Sequence, residues 1–374
     1  MRPERILIVG GGIGGLSLAA ALRRYGFAPE LIERSRSWRA VGAGIAVQPN
    51  GIRILRELGV GDAIERAGTV ICHWDFCDDQ GEALCETDLE ALWAGVGPFI
   101  GIARGRLQRA LVDAAASAAL RAGTSVTALT QQADGVRVEL SDGSVGIYDL
   151  VVGADGTGST VRTLAIDATP PAYGGQMVWR SLAPIRPHGL TRLQFLLGDG
   201  CFFGLCPVGD GHTYGFGNVA GPRFRDEAVG RLARLRERFA HFGPVVQEYL
   251  AALESDDRIH CSAIEWVEQE CWRSGRVVLI GDAAHASSPM MGQGGSLAVE
   301  DAWVLAEALH SSDSVERALD AYVVRREPRV RWVRQESQAA DESLRLPVAA
   351  RNAALRSRGA DMMEHRFRPL TAPA

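Results

Sequence analysis

The chain has 374 residues, enough for one large domain or two intertwined domains around a substantial core. Its composition is that of a globular protein, with 47% hydrophobic and 23% charged residues. The formal net charge of −5 gives no basic footprint for nucleic acid, and no apolar run approaches the roughly 18 residues that a membrane span needs. All 40 basic residues are arginine, which excludes mechanisms that depend on a lysine amine.

Seven cysteines, an odd number, are spread along the chain without a CxxC pair. This usage is typical of a reduced, cytoplasmic protein, and the chain enters its first predicted strand without a signal peptide. Cys72 and Cys77 are poorly spaced for a zinc site. We therefore expect a cytoplasmic protein that binds no metal.

The N-terminal segment has the pattern of a βαβ unit. Residues 5–9 predict a buried parallel strand, residues 16–25 a helix and residues 29–33 a second strand. A further helix is predicted for residues 52–58. Such a unit is typical of an α/β protein with a parallel sheet.

A glycine fingerprint joins the first predicted strand to the helix. Gly10 permits a tight turn, Gly12 lets the backbone approach a pyrophosphate, and Gly15 allows close packing of helix and strand. The helix N-terminus offers N–H groups to a phosphate, and Glu33 can accept hydrogen bonds from ribose hydroxyls. In this context the pattern predicts a dinucleotide site rather than a plain glycine-rich turn.

The middle of the chain returns to the same sheet. The alanine-rich residues 106–121 predict a helix, and residues 135–140 and 144–152 predict a hairpin that ends in a buried strand. Asp155 follows this strand, where a carboxylate can receive hydrogen bonds from a cofactor. The equal alternative is a turn that leads into a helix capped by Ser159.

Residues 176–219 have short apolar runs, aromatic residues and turn glycines. Leu193, Phe195 and Leu197 recur at every second position, which predicts an antiparallel sheet. A charged helix is predicted for residues 223–242. This region therefore has the composition of a second, sheet-based part of the molecule.

A second loop rich in backbone donors follows the last predicted strand, residues 276–280. Asp282 lies just beyond that strand, at the edge where open α/β sheets bind ligands. Three glycines within residues 292–295 precede a helix whose N-terminus can face a developing negative charge. We interpret His285, in the turn between, as a structural residue, with catalysis as the less favoured alternative.

Together these motifs, in this order and at these distances, resemble those of the class A flavoprotein monooxygenases, the family of 4-hydroxybenzoate and salicylate hydroxylases. The resemblance covers roughly residues 5–340. It implies an α/β fold, in part α+β, with a Rossmann-like FAD-binding domain interrupted by an antiparallel-sheet substrate domain and followed by C-terminal helices. The expected segments are residues 1–74, 98–170 and 268–320 for the FAD-binding domain, residues 75–97 and 171–267 for the substrate domain, and residues 321–374 for the helices.

The resemblance also implies which residues hold FAD. The first glycines and Glu33 would bind the ADP half, and Asp282 the ribityl or pyrophosphate side. Ser296 departs from the family, because many members carry Asn near this position. The cofactor-binding candidates are Gly10, Gly12, Ile13, Gly14, Gly15, Glu33, Arg34, Gly44, Arg104, Gln108, Val126, Asp155, Asp282, Gly292, Gly294, Gly295 and Ser296.

The implied activity is the hydroxylation of an aromatic or heteroaromatic small molecule with FAD, NADPH or NADH, and O₂, through a flavin C4a-hydroperoxide. Arg180 is the main candidate for anchoring the substrate, with Tyr214 and Pro289 as further candidates; no catalytic side chain is assigned. The alternatives are a flavoprotein reductase or oxidase without oxygen transfer, and a non-enzymatic FAD-binding redox sensor. A halogenase of this scaffold would need a lysine that the chain lacks. We expect a monomer or a homodimer.

Overall fold

The structure is a computed structural model that describes residues 2–38 and 43–374. Residue 1 and residues 39–42 of the predicted first FAD-binding segment lie outside the described residues. The described part contains nineteen strands. They are β1 (Ile6–Val9), β2 (Glu30–Glu33), β3 (Gly44–Val47), β4 (Thr69–Val70), β5 (His73–Asp78), β6 (Ala83–Asp88), β7 (Ile100–Ala103), β8 (Ala119–Ala122), β9 (Val126–Gln132), β10 (Gly135–Leu140), β11 (Val145–Tyr148), β12 (Leu150–Gly153), β13 (Ala172–Ala183), β14 (Leu193–Leu197), β15 (Cys201–Pro207), β16 (Thr213–Ala220), β17 (Ile259–Trp266), β18 (Arg273–Ser274) and β19 (Val277–Leu279).

Twelve α-helices occur in the same described residues, and the last three account for most of the chain after residue 293. They are α1 (Ile13–Arg24), α2 (Pro49–Glu57), α3 (Gly61–Ala67), α4 (Leu89–Leu92), α5 (Arg104–Ala114), α6 (Thr160–Ala165), α7 (Arg231–Arg238), α8 (Pro244–Ala251), α9 (Asp282–His285), α10 (Gly294–Ser311), α11 (Val315–Leu344) and α12 (Val348–Phe367).

One sheet collects short apolar strands from distant parts of the chain. Its order is β18-β19-β12-β1-β2-β8, and its neighbours are parallel except for β18 and β19. Strand β1 is buried along its whole length, as expected for a parallel strand with both faces covered. Because the strands are parallel, the carboxyl ends of β1, β2, β12 and β19 meet at one edge. The glycine turn and Asp282 therefore lie at the same edge.

A second sheet of seven strands has the order β17-β13-β16-β15-β14-β5-β6. Its neighbours are antiparallel except for β5 and β14, which run parallel. The predicted antiparallel sheet in residues 176–219 is confirmed, and β5, β6 and β17 extend it. On one face, Phe203 packs against Phe239 of the chain after α7 and Tyr249 of α8. The opposite face borders a cavity that Phe202 and Cys206 line.

Two predicted helices are corrected by the structure. The helix expected for residues 106–121 runs from Arg104 to Ala114 only, and residues 119–122 form β8, which pairs in parallel with β2. Alanine favours a helix locally, but the free edge of β2 supplies backbone hydrogen bonds that a longer helix would leave unmade. The charged helix expected for residues 223–242 is limited to Arg231–Arg238 and begins after Gly230, whose φ is +75°.

The C-terminal helices close the molecule. Helix α11 packs against α10, and α12 packs against β6 of the seven-stranded sheet. Within residues 2–38 and 43–374, no helix is long and apolar enough to cross a membrane.

Candidate functional site

The glycine turn after β1 is shaped by close approaches of the backbone. Gly10 has a φ of +110°, and a Cβ there would collide with the carbonyl oxygen of Ala154. A Cβ at Gly15 would collide with the carbonyl oxygen of Gly10. Both positions therefore need glycine, because any side chain would push β1, β12 and α1 apart.

Two side chains hold this turn in place. The carboxylate of Glu33, at the end of β2, accepts from the N–H of Gly11 at 2.7 Å and from the N–H of Ser35 at 2.8 Å. The side-chain amide of Gln108, on α5, donates to the carbonyl oxygen of Gly11 at 2.6 Å. Each Glu33 oxygen still has a second lone pair, so the carboxylate can also receive hydroxyl donors from a ligand.

A first cavity of about 330 Å³ opens at this edge of the parallel sheet. The turn after β1, the end of β2, the start of α5 and the loop after β12 form its walls. The predicted site residues that line it are Gly10, Gly12, Glu33, Arg34, Arg104, Gln108, Val126 and Asp155.

Asp155 combines the two interpretations that the sequence left open. Its carboxylate accepts from the Ser159 hydroxyl at 2.5 Å, from the N–H of Thr160 at 2.7 Å and from the N–H of Val161 at 3.1 Å, so it caps α6. Ser159 in turn accepts from the N–H of Arg162, as the predicted cap requires. Burial raises the pKa of Asp155, and the donors oppose that rise. Asp155 nevertheless lines the first cavity.

A second, larger cavity of about 430 Å³ lies between the parallel sheet and the seven-stranded sheet. Arg104 lines both cavities, so the two meet at this side chain. A Cβ at Gly44 would collide with the ring of Tyr214, so the backbone of β3 lies directly on that tyrosine. The predicted residues that line the second cavity are Gly44, Arg104, Arg180, Tyr214, Asp282, Pro289, Gly292, Gly294 and Gly295.

The loop after β19 presents its polar groups to this second cavity. Asp282 and Pro289 are exposed there. Gly294 and Gly295 form the first turn of α10, a helix of 18 residues, where backbone N–H groups have no partner within the helix. A Cβ at Gly295 would meet the side chain of Ile45 at 3.0 Å, so side chains larger than hydrogen would narrow the space between β3 and α10.

The opposite wall is the free face of the seven-stranded sheet. On β15, Phe202 and Cys206 line the cavity, whereas Phe203 faces the helices on the other side, in keeping with the two-residue period of a strand. Phe195 stacks on Phe202 with 5.4 Å between the ring centroids, and Phe216 meets both rings edge-on. These rings form an aromatic wall that favours a flat, apolar ligand.

Polar groups interrupt the aromatic wall on β13, β16 and β17. The Arg180 guanidinium donates to the Ser262 hydroxyl at 2.9 Å. Burial raises the pKa of Tyr214, so its hydroxyl is protonated at neutral pH. Burial and the nearby Arg180 lower the pKa of His260, which is therefore neutral there. Arg180 is thus a cation beside uncharged donors and acceptors. Arg104, whose charge also acts on Tyr214 and His260, lines the same cavity, and this arrangement suits an oxygen anion.

Beneath the loop lies a buried network of charges. His285 Nε2 is 2.6 Å from Asp301, which also accepts from the N–H of Gly281 at 2.8 Å and from Arg326 Nε at 2.8 Å. Arg326 Nη1 is 2.8 Å from Glu300, and the side chains of Arg326, Glu300 and Asp301 are fully buried. The network fixes the start of α9 to α10 and α11. His285 contacts Asp301 on one side and also lines the second cavity, so its role stays a prediction.

Four predicted cofactor residues do not line either cavity. Gly14 packs against Ala298, and Ser296 accepts from the N–H of Gln48 at 3.3 Å behind the loop. Gly15 packs on Gly10, and Ile13 faces Gly295. Sequence reasoning did not name several residues that line the second cavity, namely Gln48, Trp74, Asn218, His260 and Ser262.

Comparison with known proteins decides the family. The chain matches the model of the FAD binding domain over residues 4–337. It belongs to this family. Its relatives include the aurachin C monooxygenase/isomerase of Stigmatella aurantiaca, 37% identical over 85% of this chain and 83% of that protein. The FAD-dependent urate hydroxylase of Klebsiella oxytoca is 35% identical over 87% of each chain. The structure of Klebsiella pneumoniae HpxO complexed with FAD and uric acid is 30% identical, with a TM-score of 0.89 over 99% of this chain and 97% of that one.

The predicted resemblance and fold class are therefore confirmed, and the site can be tested for its fit to FAD. The first cavity has the glycine turn and the Glu33 carboxylate that an adenosine diphosphate requires. The second cavity has the N-terminus of α10 and the glycines of the loop after β19 along one wall and aromatic rings along the other, which suits a flat ring. Because Arg104 joins the two cavities, one elongated dinucleotide can occupy both. The residues present fit FAD.

Proposed function

We propose that this member of the FAD binding domain family is a monooxygenase that uses NADPH or NADH and O₂ to hydroxylate an aromatic or heteroaromatic small molecule. One observation carries the proposal. The loop after Asp282 lines one side of the second cavity, and the aromatic wall of the seven-stranded sheet and Arg180 line the other. A flavin placed against the loop would therefore face a substrate placed against the wall. FAD, when bound, supplies the redox chemistry.

On the cofactor side, each protein group has a distinct task. Glu33 would accept hydrogen bonds from the ribose of the ADP half, and the N–H groups of the glycine turn would meet the pyrophosphate. Asp282, just beyond the end of β19, would lie on the ribityl or pyrophosphate side and accept hydrogen bonds from ribityl hydroxyls. The first turn of α10 would face the pyrimidine side of the flavin, where a helix N-terminus stabilises negative charge.

On the substrate side, the protein binds, orients and excludes water. Arg180 would bind an anionic or phenolic oxygen through charge-assisted hydrogen bonds. The protonated hydroxyl of Tyr214 can donate to a neighbouring substrate atom. Phe195, Phe202 and Phe216 would hold the ring and keep water from the reacting face.

The relatives favour oxygen transfer over simple flavin oxidation. Those named above are a monooxygenase/isomerase and a urate hydroxylase, and another relative, from Streptomyces platensis, is a 3-amino-4-hydroxybenzoate 2-monooxygenase. A redox sensor that binds only FAD would need neither an aromatic wall nor a cationic anchor. The division into three FAD-binding segments, the cytoplasmic location and a monomeric or homodimeric state are part of the same proposal.

Spectroscopy and turnover of the purified protein test the proposal. We expect a flavin absorbance spectrum, and NADPH or NADH oxidation that is stimulated by some members of a panel of phenols, aminobenzoates, purines and quinolones. The stimulated reaction should consume O₂ and yield a product heavier by one oxygen atom. A protein that remains colourless after FAD is added would contradict the cofactor. Stimulated oxidation that gives only hydrogen peroxide for every compound would instead favour an oxidase.

A further inference from the structure

One buried donor in the wall of the second cavity has no partner in the protein. Asn218, on β16, is 2% exposed, and within the described residues its Nδ2 has no hydrogen-bond acceptor. The side chain lines the cavity. A buried amide donor without a partner loses the hydrogen bonds that water would give it, and native proteins rarely keep such a group without a use. The amide is therefore placed to meet an acceptor that enters the cavity.

The register of the sheet places Asn218 beside the cationic anchor. Asn218 pairs with Val178 on β13, and Val178 pairs with Ser262 on β17. Arg180 lies two residues beyond Val178 on the same face of β13 and donates to the Ser262 hydroxyl. Diagonal neighbours on one face are roughly 7–8 Å apart. Asn218, Arg180 and Ser262 therefore form one polar corner.

Next to this corner stands the aromatic wall. On its other side Asn218 pairs with Phe202 of β15, and Phe202 is stacked on Phe195 with nearly parallel rings, 7° apart. A ligand ring that lies against Phe202 would direct its substituents towards Asn218 and Arg180. Arg180 only donates, and the free nitrogen of Asn218 also donates. The corner therefore fits two neighbouring oxygen acceptors on one ring.

We propose that Asn218 is a specificity-determining residue that donates to a carbonyl-type oxygen of the aromatic substrate, next to the phenolic or acidic oxygen that Arg180 binds. The inference rests on the proposed function and narrows its substrate class to rings that carry such an acceptor. A site with a buried donor rejects analogues that lack the matching acceptor, because the donor then stays unpaired.

Ligand binding to the FAD-loaded protein tests the inference without requiring turnover. Two pairs of probes differ in the acceptor: 2-hydroxyacetophenone against 2-ethylphenol, and 4-quinolone against quinoline. Dissociation constants are measured from the change in flavin absorbance on titration. Asn218→Leu removes the donor, and Asn218→Asp replaces it with an acceptor of the same shape. Ser337→Ala is the matched control outside the cavity. It removes a buried hydroxyl on α11 that has no hydrogen-bond partner among the described residues.

For the wild-type protein we expect the carbonyl member of at least one pair to bind about tenfold or more tightly than its analogue. Asn218→Leu should reduce that ratio to about twofold or less, Asn218→Asp should weaken the carbonyl member at least as much, and Ser337→Ala should change nothing. Equal ratios in the wild type and Asn218→Leu overturn the inference, as does wild-type protein that binds neither carbonyl member. If Asn218→Leu does not fold, Asn218→Asp takes its place: a reduced ratio of dissociation constants supports the inference, and an unchanged ratio overturns it. Failure of the proposed function is distinct, because the protein would then bind no FAD or would form only hydrogen peroxide in turnover, whereas the binding ratios do not depend on turnover.

Discussion

At the scale of single residues, Asp282 is the carboxylate that we propose holds the flavin half of the cofactor. It stands exposed in the second cavity at the start of α9, close to Gly294 in the first turn of α10. We expect Asp282→Ala to weaken FAD binding by about tenfold or more, because hydrogen bonds to a charged group contribute roughly 1.5–3 kcal/mol. The ratio of flavin absorbance to protein absorbance in the purified protein measures the effect.

Asp361 provides the control for this change. It is an exposed carboxylate on α12 and lines neither cavity. Asp361→Ala should retain the wild-type flavin content. A full flavin complement in Asp282→Ala would show that the carboxylate does not hold the cofactor.

Substitution of Arg180 tests substrate binding separately from cofactor binding. Its guanidinium lies on β13, across the cavity from the loop after Asp282, and donates to the Ser262 hydroxyl. Arg180→Ala should keep FAD and raise the substrate concentration for half-maximal NAD(P)H oxidation by about tenfold to a hundredfold, since a charge-assisted hydrogen bond is lost. Arg180→Lys keeps the charge and should recover part of this loss. An Arg180→Ala enzyme with unchanged substrate dependence would remove Arg180 from the proposed site.

At the scale of the elements, the sequence predicted the parts that carry local signals. Residues 5–9, the glycine turn and the strand before Asp282 are recognisable because a buried parallel strand, a dinucleotide turn and a helix N-terminus each require particular residue types. The alanine content of residues 119–122 is also a local signal, and it predicts a helix. Their pairing with β2 depends on a neighbour nearly ninety positions earlier, as Arg121 pairs with Ile32.

The site residues that the sequence did not predict also depend on strand pairing between distant segments. Ser262 lies 82 residues from Arg180 in the chain and reaches it only through the pairing of β13 with β17. Asn218 and Trp74 have no motif, and which face of the sheet they occupy follows from the register of β16 and β5. A register shift of one residue would turn each of them away from the cavity. Sequence alone therefore indicated the cofactor loops and left most of the substrate wall undetermined.

Helices α10 and α11 are joined by the buried network around Asp301. The pKa of Asp301 is lowered to about 2, because the interactions with His285 and Arg326 outweigh the effect of burial. Asp301→Asn would leave the Arg326 charge under-compensated, so we expect a loss of about 3–5 kcal/mol in the free energy of unfolding. Chemical denaturation of the FAD-loaded protein measures it.

Asp320→Asn is the control, because Asp320 also lies on α11 and pairs with an arginine, Arg273, but is exposed. Asp320→Asn should lower the free energy of unfolding by less than about 1 kcal/mol.

The pH dependence of the free energy of unfolding is a second test of the network. A carboxylate whose folded pKa is depressed stabilises the fold above its unfolded pKa, about 3.9, and loses that contribution as the pH falls towards 2. The difference between wild type and Asp301→Asn should therefore shrink below about pH 4. An equal loss in both variants would contradict a structural role for the network.

At the scale of the whole molecule, the two cavities draw on parts of the chain that are far apart in sequence. The first cavity uses the ends of β1 and β2, the start of α5 and the loop after β12, whereas the second uses β3, the loop after β19 and the seven-stranded sheet. A ligand that occupies both cavities connects these segments in the folded state only. FAD should therefore stabilise the entire fold, and ADP should act through the first cavity alone.

Thermal unfolding of flavin-free protein tests this division. A ligand at about a hundred times its dissociation constant stabilises the folded state by roughly 2.7 kcal/mol. At equal concentration, FAD should therefore raise Tm more than ADP, because it adds the contacts of the second cavity. Glu33→Ala should diminish the shift with both ligands, whereas Asp282→Ala should diminish only the part that FAD adds. If ADP and FAD raised Tm equally in the wild type, the second cavity would contribute nothing to cofactor binding, and the flavin could not face the aromatic wall as proposed.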